Sequence, residues 1–77
     1  MKFMVLNDLL DKMWYLQDIA IIERKKYNVL RESMDLSKFK DQALFSGPSY
    51  KANSHLLNRL VESYGVVDNV FIITIYD

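Results

Sequence analysis

Apolar residues recur at intervals of three, four and seven positions through the first half of the chain. The recurring positions are Leu9, Met13, Leu16, Ala20, Tyr27, Leu30 and Met34. At about 100° per residue, these side chains fall on one side of a helix. No glycine or proline interrupts this stretch, and Asn7 or Asp8 can cap its amino terminus. The pattern predicts one long helix from Val5 to Met34, around which the rest of the chain is organised.

The carboxyl-terminal segment has the residues typical of a β-strand. Every position from 70 to 76 is β-branched or aromatic, so both faces of a strand from Asn69 to Asp77 would be apolar. Such a strand requires cover on both sides and a partner along its edges. The short apolar segment Lys2–Leu6 favours a strand slightly over the first turn of the helix. Within one chain, this segment is the strand that could pair with the C-terminal strand. A strand of a second chain is the alternative partner.

Glycine and proline mark a turn before a second predicted helix. The sequence Ser46-Gly47-Pro48-Ser49 cannot continue a helix, and proline suits the first position of a new one. A helix from Ser49 or Ser54 to Tyr64 would carry a leucine-rich stripe, and Gly65 would supply its left-handed terminal residue.

The segment between the two predicted helices leaves two possibilities open. Asp35 or Ser37 could cap one further helical turn. Gln42 to Ser46 could instead be extended. The sequence does not decide between a helical and an extended course here.

Together these elements predict a small α+β protein that is mostly helical, with a long amino-terminal helix, a shorter antiparallel second helix and a C-terminal strand. The 77 residues contain no linker, repeat or low-complexity tract, which is consistent with one domain spanning residues 1–77. The apolar arc of the first helix covers roughly half its circumference, which is more than one neighbouring element can cover. We therefore expect a homo-oligomer, formed through the first helix or the C-terminal strand.

Three apolar side chains fall on the otherwise polar side of the predicted first helix, next to charged residues. A tryptophan with two aliphatic neighbours is typical of a protein contact site. The alternative is that the second helix or the last strand covers these side chains, because a small chain needs most of its apolar surface for its own core. The predicted partner-binding residues are Leu10, Trp14 and Ile21 as apolar anchors, with Asp18, Arg24 and Lys25 as a charged rim.

The formal net charge is zero, yet the ends of the chain are acidic and residues 24–59 are basic. Aromatic residues lie near the lysines of this middle segment, a combination that can bind nucleic acid by stacking on bases. The neutral total argues against this function, because non-specific affinity for nucleic acid comes from net basic surface. The candidate anion or nucleic-acid contacts are Lys38, Lys40, Ser49, Tyr50 and Lys51.

The residues needed for metal or catalytic chemistry are scarce. The chain has one histidine and no cysteine, so no metal site is expected. Ser54 and His55 are adjacent in sequence and would not face each other on a helix. The helix dipole explains Asp8 and Asp11 without a catalytic role. The two glycines are eighteen positions apart and cannot form a phosphate-binding loop. We expect no cofactor and no enzymatic activity.

The order of these elements resembles the amino-terminal part of the small sigma-like late-transcription regulators of Gram-positive phages. The resemblance covers about residues 10–64 and lies in a long helix ending at Leu30-Arg31, a polar spacer, Ser46-Gly47 and a leucine-rich helix. It implies a role in transcription. That family continues into a helix-turn-helix where this chain ends in a strand, so no functional residue is transferred.

No segment has the pattern of a membrane span or a signal peptide. The longest apolar run, Val70 to Ile75, is far shorter than the ~20 residues needed to cross a bilayer. The apolar stretch from Phe3 to Leu6 is broken at once by polar residues. We expect a soluble cytoplasmic protein that acts as a small non-enzymatic interaction module, a regulator or inhibitor of a macromolecular partner. The alternative is a small nucleic-acid-binding or transcription-regulatory protein of phage type.

Overall fold

A five-stranded mixed sheet takes the place of the predicted long helix in the computed structural model, which describes residues 4–33 and 35–76. The strands are β1 (Met4–Val5), β2 (Asp18–Glu23), β3 (Phe45–Pro48), β4 (Leu60–Val67) and β5 (Val70–Ile75), and the helices are α1 (Leu6–Asp11), α2 (Arg24–Leu30) and α3 (Leu36–Gln42). Two short 3₁₀ turns, Ser49–Lys51 and Ser54–Leu56, join β3 to β4. The fold is α+β, and the prediction of a mostly helical protein is wrong.

The predicted helix from Val5 to Met34 is divided into β1, α1, a loop over residues 12–17, β2 and α2. Met34 itself lies outside the described residues. The periodicity misled because Ile19–Ile22 are all fully buried, as the central residues of β2. A strand covered on both faces is apolar at every position, so it satisfies a spacing of three or four as well as a spacing of two.

The C-terminal strand is confirmed as β5, but its predicted pairing partner is wrong. The strand order is β1-β4-β5-β2-β3, which places β5 between two neighbours. It runs antiparallel to β4 and parallel to β2, with Ile73 opposite Ile21. The amino-terminal segment pairs instead with β4, where Met4 lies opposite Val61. Because both edges of β5 are occupied, this strand cannot join another chain as we expected.

Helices cover both faces of the sheet, so the molecule has three layers. On one face, here called the α1 face, Leu6 and Leu9 of α1 pack against Ile21 and Ile73 of the sheet. On the other, here called the α2–α3 face, fully buried side chains of α3 and the sheet pack together. The core of the α2–α3 face consists of Ala20, Ile22, Phe39, Val70 and Ile72. The alternating residues of β2 and β5 therefore contribute to two separate cores.

The predicted second helix, from Ser49 or Ser54 to Tyr64, is also wrong. The two 3₁₀ turns and the first half of β4 lie there, and Gly65 is inside β4. The chain reverses after β4 at Asp68 and Asn69, whose positive φ values of 50° and 67° are those of a two-residue hairpin turn. Pairing with β5 outweighs the helical spacing of this segment. Neither a helical hairpin nor the two helices of the phage-regulator resemblance is present in the described residues.

Both possibilities for the segment after Met34 occur, one after the other. The Asp35 carboxylate accepts hydrogen bonds from the Ser37 backbone N–H at 3.0 Å and the Ser37 hydroxyl at 2.7 Å, which caps α3. These bonds lower the pKa of Asp35. The stabilisation they give is therefore present above the unfolded-state pKa and is lost as the pH falls through the lowered value. The extended stretch then follows as β3.

Candidate interaction surface

An exposed cluster of aromatic rings lies where the loop over residues 12–17 meets the 3₁₀ turn Ser49–Lys51. The side chains of Trp14, Tyr15 and Tyr50 are 64%, 60% and 57% exposed. The ring centroids of Trp14 and Tyr15 are 6.2 Å apart, and those of Tyr15 and Tyr50 are 6.1 Å apart. Both pairs meet edge to face, which is a favourable geometry for aromatic rings. We call these three residues the aromatic surface.

Hydrogen bonds fix the backbone beneath the aromatic surface. The Tyr50 N–H donates to the Tyr15 carbonyl at 3.1 Å, and the Ser49 N–H donates to the Gln17 carbonyl at 2.9 Å. The buried Ser49 hydroxyl donates to the Trp14 carbonyl at 2.9 Å. On the other side of the loop, the Gln17 amide donates to the Asn69 carbonyl at 2.8 Å. The loop is thus tied both to the 3₁₀ turn and to the β4–β5 hairpin.

A cavity of about 350 Å³ adjoins the aromatic surface between α1 and the 3₁₀ turn. Its lining combines the rings of Tyr15 and Tyr50 with aliphatic groups such as Leu10 and with the exposed carboxylate of Asp11. The Lys51 ammonium lies 5.7 Å from the centroid of the Tyr50 ring, within range of a cation–π contact. Aromatic surface with a mixed polar surround is typical of protein contact sites.

The three predicted apolar anchors do not form one surface. Trp14 is exposed, but it stands on a loop and not on a helix. Leu10 is half-buried on α1 and packs against the core. Ile21 is fully buried in β2, because the alternation of the strand directs its side chain into the core of the α1 face. Leu10, Trp14 and Ile21 therefore do not form the predicted apolar contact site. A binding role for Trp14 stays a prediction.

The predicted charged rim is divided between the two ends of β2. Asp18 is exposed at its start, whereas Arg24 and Lys25 begin α2 after its last residue. Six strand residues span roughly 17 Å, so these groups cannot surround one contact site. Arg24 forms an ion pair with Glu62 at 3.0 Å and lies over the Tyr76 ring. Of the three predicted rim residues, only Asp18 is a near neighbour in sequence of the aromatic-surface residues.

The five candidate anion contacts are divided as well. Lys38 and Lys40 are exposed on α3, which packs on the α2–α3 face. The Ser49 hydroxyl is buried and donates to a backbone carbonyl, so it does not face an external anion. Tyr50 and Lys51 contact each other beside the aromatic surface. The five candidate contacts therefore do not form one patch, because Lys38 and Lys40 lie on α3 and Lys51 lies in the 3₁₀ turn beside α1.

Sequence reasoning missed Tyr15 as a surface residue, because a helical frame places it beside the buried side. The signal that could have found it is the run of large apolar residues Trp14-Tyr15-Leu16 directly before the buried run Ile19–Ile22. A helix with both runs would carry large apolar side chains on its polar side as well as within its apolar arc. In the structure, the first run lies in a loop and the second run lies in the strand that follows it.

Residues 4–33 and 35–76 contain neither a metal-binding cluster nor a membrane-spanning helix. In that part of the chain, no three His, Cys, Asp or Glu side chains are grouped in a way that could hold a metal ion. None of the helices described there has the length and apolar character needed to cross a membrane.

Comparisons with protein-family models, with curated proteins and with solved structures found no match to this chain. The fold and the surface therefore define its class by themselves. It is a small α+β domain with a mixed sheet covered on both faces and an aromatic surface at one end of that sheet.

Proposed function

We propose that this protein is a non-enzymatic binding module, a regulator or inhibitor that contacts a protein partner through the aromatic surface. The observation that supports this function is the 64% exposure of Trp14, the only tryptophan in the chain, beside two further exposed rings. Leaving a large apolar side chain in water forgoes about 2 kcal/mol of folding free energy. Tryptophan and tyrosine are also the residues most enriched at the energetic centres of protein interfaces.

Hydrogen bonds already order the loop over residues 12–17, so little conformational entropy is lost when the loop binds a partner. Association requires the contacting side chains and loops to be ordered, at about 0.5–1.5 kcal/mol for each flexible side chain. Here Ser49 and Gln17 already hold the backbone of Trp14 and Tyr15 in place. Aromatic side chains also have few rotatable bonds, so they supply a large contact area with little order to gain. A partner whose surface is covered in this way is blocked from other contacts, which is how a small regulator or inhibitor acts.

Nucleic-acid binding is the second candidate function. It is favoured by the contact between Lys51 and the exposed Tyr50 ring, since bases stack on such rings beside cations. Two observations weigh against it. Asp11 lines the adjoining cavity, and the chain has no net positive charge with which to release counterions from a phosphate backbone. A protein partner is therefore the stronger proposal.

The test compares the capture of partners from the source cell by the full-length chain and by two variants. Trp14→Ala removes the central ring, and Val29→Ala is the matched control, because Val29 is 81% exposed on α2. We expect a discrete protein to bind the wild type and Val29→Ala. The same protein should bind Trp14→Ala about 30-fold more weakly, which corresponds to ~2 kcal/mol. The free energy of unfolding should stay within about 0.5 kcal/mol of the wild type for Val29→Ala and within about 1.5 kcal/mol for Trp14→Ala, which loses the ring contact with Tyr15.

Two results would contradict the proposal. One is equal capture by Trp14→Ala and the wild type, which would place the contact elsewhere. The other is unfolding of Trp14→Ala, which would make the indole part of the core. A gel shift at low salt with single-stranded DNA and RNA, lost in a Lys51→Ala variant, would instead favour the second candidate function.

A further inference from the structure

Among residues 4–33 and 35–76, the outer edge of β4 is paired over only part of its length. The short strand β1 pairs with Leu60 and Val61, whereas β4 continues to Val67. Within the described residues, no strand pairs with the outer side of β4 beyond Val61. Backbone N–H and C=O groups along such an edge can accept another strand.

The opposite edge of the sheet is protected in a way that the β4 edge is not. The outermost strand there is β3, which has four residues and contains Gly47 and Pro48. Proline has no N–H group to donate to a further strand, and short edge strands resist pairing. The irregularity of β4 lies before Ser63, and the segment from Ser63 to Val67 has no proline and no charged residue, two of the features by which proteins prevent edge-to-edge association.

We propose that β4 pairs antiparallel with β4 of a second copy of this chain, forming a two-fold dimer in which the two sheets are continuous. The two-fold axis passes through Gly65, which lies opposite the same residue of the second copy. This register places Tyr64 of each copy opposite Val66 of the other. The two contacts are identical, as the symmetry of an isologous dimer requires.

The side chains of β4 suit this arrangement on both faces of the sheet. Tyr64 and Val66 lie on the α1 face, opposite Ile73 and Phe71 of β5, and each is 56% exposed. A tyrosine opposite a valine is a stabilising cross-strand pair. On the α2–α3 face, a Cβ atom added at Gly65 would meet nothing within 4 Å, so no side chain obstructs the axis.

The chemistry of the edge favours a second copy as the occupant. Within Ser63 to Val67, homotypic pairing places no like charges opposite each other, and like charges are the usual obstacle to a symmetric strand pair. An apolar groove of about 310 Å³, lined by Tyr64 and Phe71 together with Met4 and Met13, continues from the edge along the α1 face. The second copy can cover part of this groove in addition to the strand.

The experiment measures the mass of the full chain by sedimentation from micromolar to millimolar concentration. We expect a dimer in the wild type. Two charged variants test the seam: Tyr64→Lys with Val66→Lys, and Tyr64→Glu with Val66→Glu. Each alone should dimerise at least about tenfold more weakly, because like charges then face each other twice. An equimolar mixture of the two should restore association as a heterodimer.

Two control variants keep the edge intact. Val29→Lys introduces the same charge at an exposed valine of α2 and should leave the dimer unchanged. Trp14→Ala should also remain dimeric, which separates this proposal from partner binding through the aromatic surface. In an antiparallel ladder successive residues alternate, so Gly65 and Val67 bond to β5 and the N–H groups of Tyr64 and Val66 face the open edge. In the wild type, the amides of Tyr64 and Val66 should therefore exchange more slowly with solvent as the protein concentration rises. This measurement needs no substitution and so does not depend on the folding of any variant.

Several outcomes would overturn the dimer. They are a wild type that stays monomeric at millimolar concentration, charged variants that dimerise as tightly as the wild type, and hydrogen exchange at Tyr64 and Val66 that does not depend on concentration. A mixture of the oppositely charged variants that stays monomeric while the wild type dimerises would also exclude the β4 seam.

Discussion

Two neighbouring runs of apolar residues occupy opposite environments in this molecule. The run Ile19–Ile22 is fully buried, whereas Trp14, Tyr15 and Leu16 are between 43% and 64% exposed. The buried run is a central strand with a neighbour on each edge and a helix layer on each face. The exposed run is the loop that enters that strand. Apolar character alone therefore does not decide burial, because the position of a segment relative to the sheet decides it.

The largest effect that would test this contrast is expected at Ile21. Replacing it with alanine leaves a cavity in the core of the α1 face, and we expect the free energy of unfolding to fall by about 3 kcal/mol. Ile21→Val removes one methylene group and should cost about 1 kcal/mol. Urea denaturation followed by circular dichroism measures both. A loss below 1 kcal/mol for Ile21→Ala would show that β2 is not at the centre of the core.

A smaller effect of opposite sign is expected at Thr74, a polar residue within the buried region. Its side chain is 1% exposed, and its hydroxyl has no hydrogen-bond partner among the described residues. Replacing it with valine removes the unsatisfied hydroxyl and keeps the branched shape, so we expect a gain of about 1 kcal/mol.

Thr74→Ser is the matched control, because it retains the hydroxyl and loses the methyl group. The serine variant should be less stable than the wild type in the same urea titration. If Thr74→Val were less stable than the wild type, the Thr74 hydroxyl would have a hydrogen-bond partner in solution.

The smallest of the three effects on stability concerns the exposed region. Ser49→Ala removes the hydrogen bond from the hydroxyl to the Trp14 carbonyl, and we expect a cost of roughly 0.5 to 1 kcal/mol. The same carbonyl still accepts from the Gln17 N–H at 2.9 Å, so it does not become unsatisfied. The loop should nonetheless move more freely, which lowers the fluorescence anisotropy of Trp14. Ser46→Ala, an exposed serine in β3, is the control and should change neither quantity.

The parts of the fold that the sequence predicts are those with unambiguous local chemistry. β5 is predictable because β-branched and aromatic residues fill every position, and its double burial follows from the same pattern. The Asp35 cap of α3 is predictable from one side chain and its neighbour. These features do not depend on which distant segment packs against them.

The parts that the sequence does not predict depend on long-range pairing. The residues of β2 satisfy the helical spacing because both faces of this strand are buried. The sequence of β4 also has a helical spacing, but its pairing with β5 makes it a strand. The predicted contact site depends on the same wrong helix. Trp14 is exposed, as predicted, but only a long helix would bring Ile21 and Arg24 beside it, and the structure has no such helix.

The tight reversal at Asp68 and Asn69 also sets an order of assembly. Strands joined by two residues can meet within about ten microseconds, as hairpins do. The parallel pairing of β2 with β5 joins residues such as Ile19 and Phe71 that are far apart along the chain, and such contacts form late. We expect pulsed hydrogen exchange during refolding to protect the β4–β5 amides before those of β2. On the ribosome, β2 is synthesised well before its parallel neighbour β5, so its apolar residues stay uncovered until β5 has been made, and chaperones would recognise them during that interval.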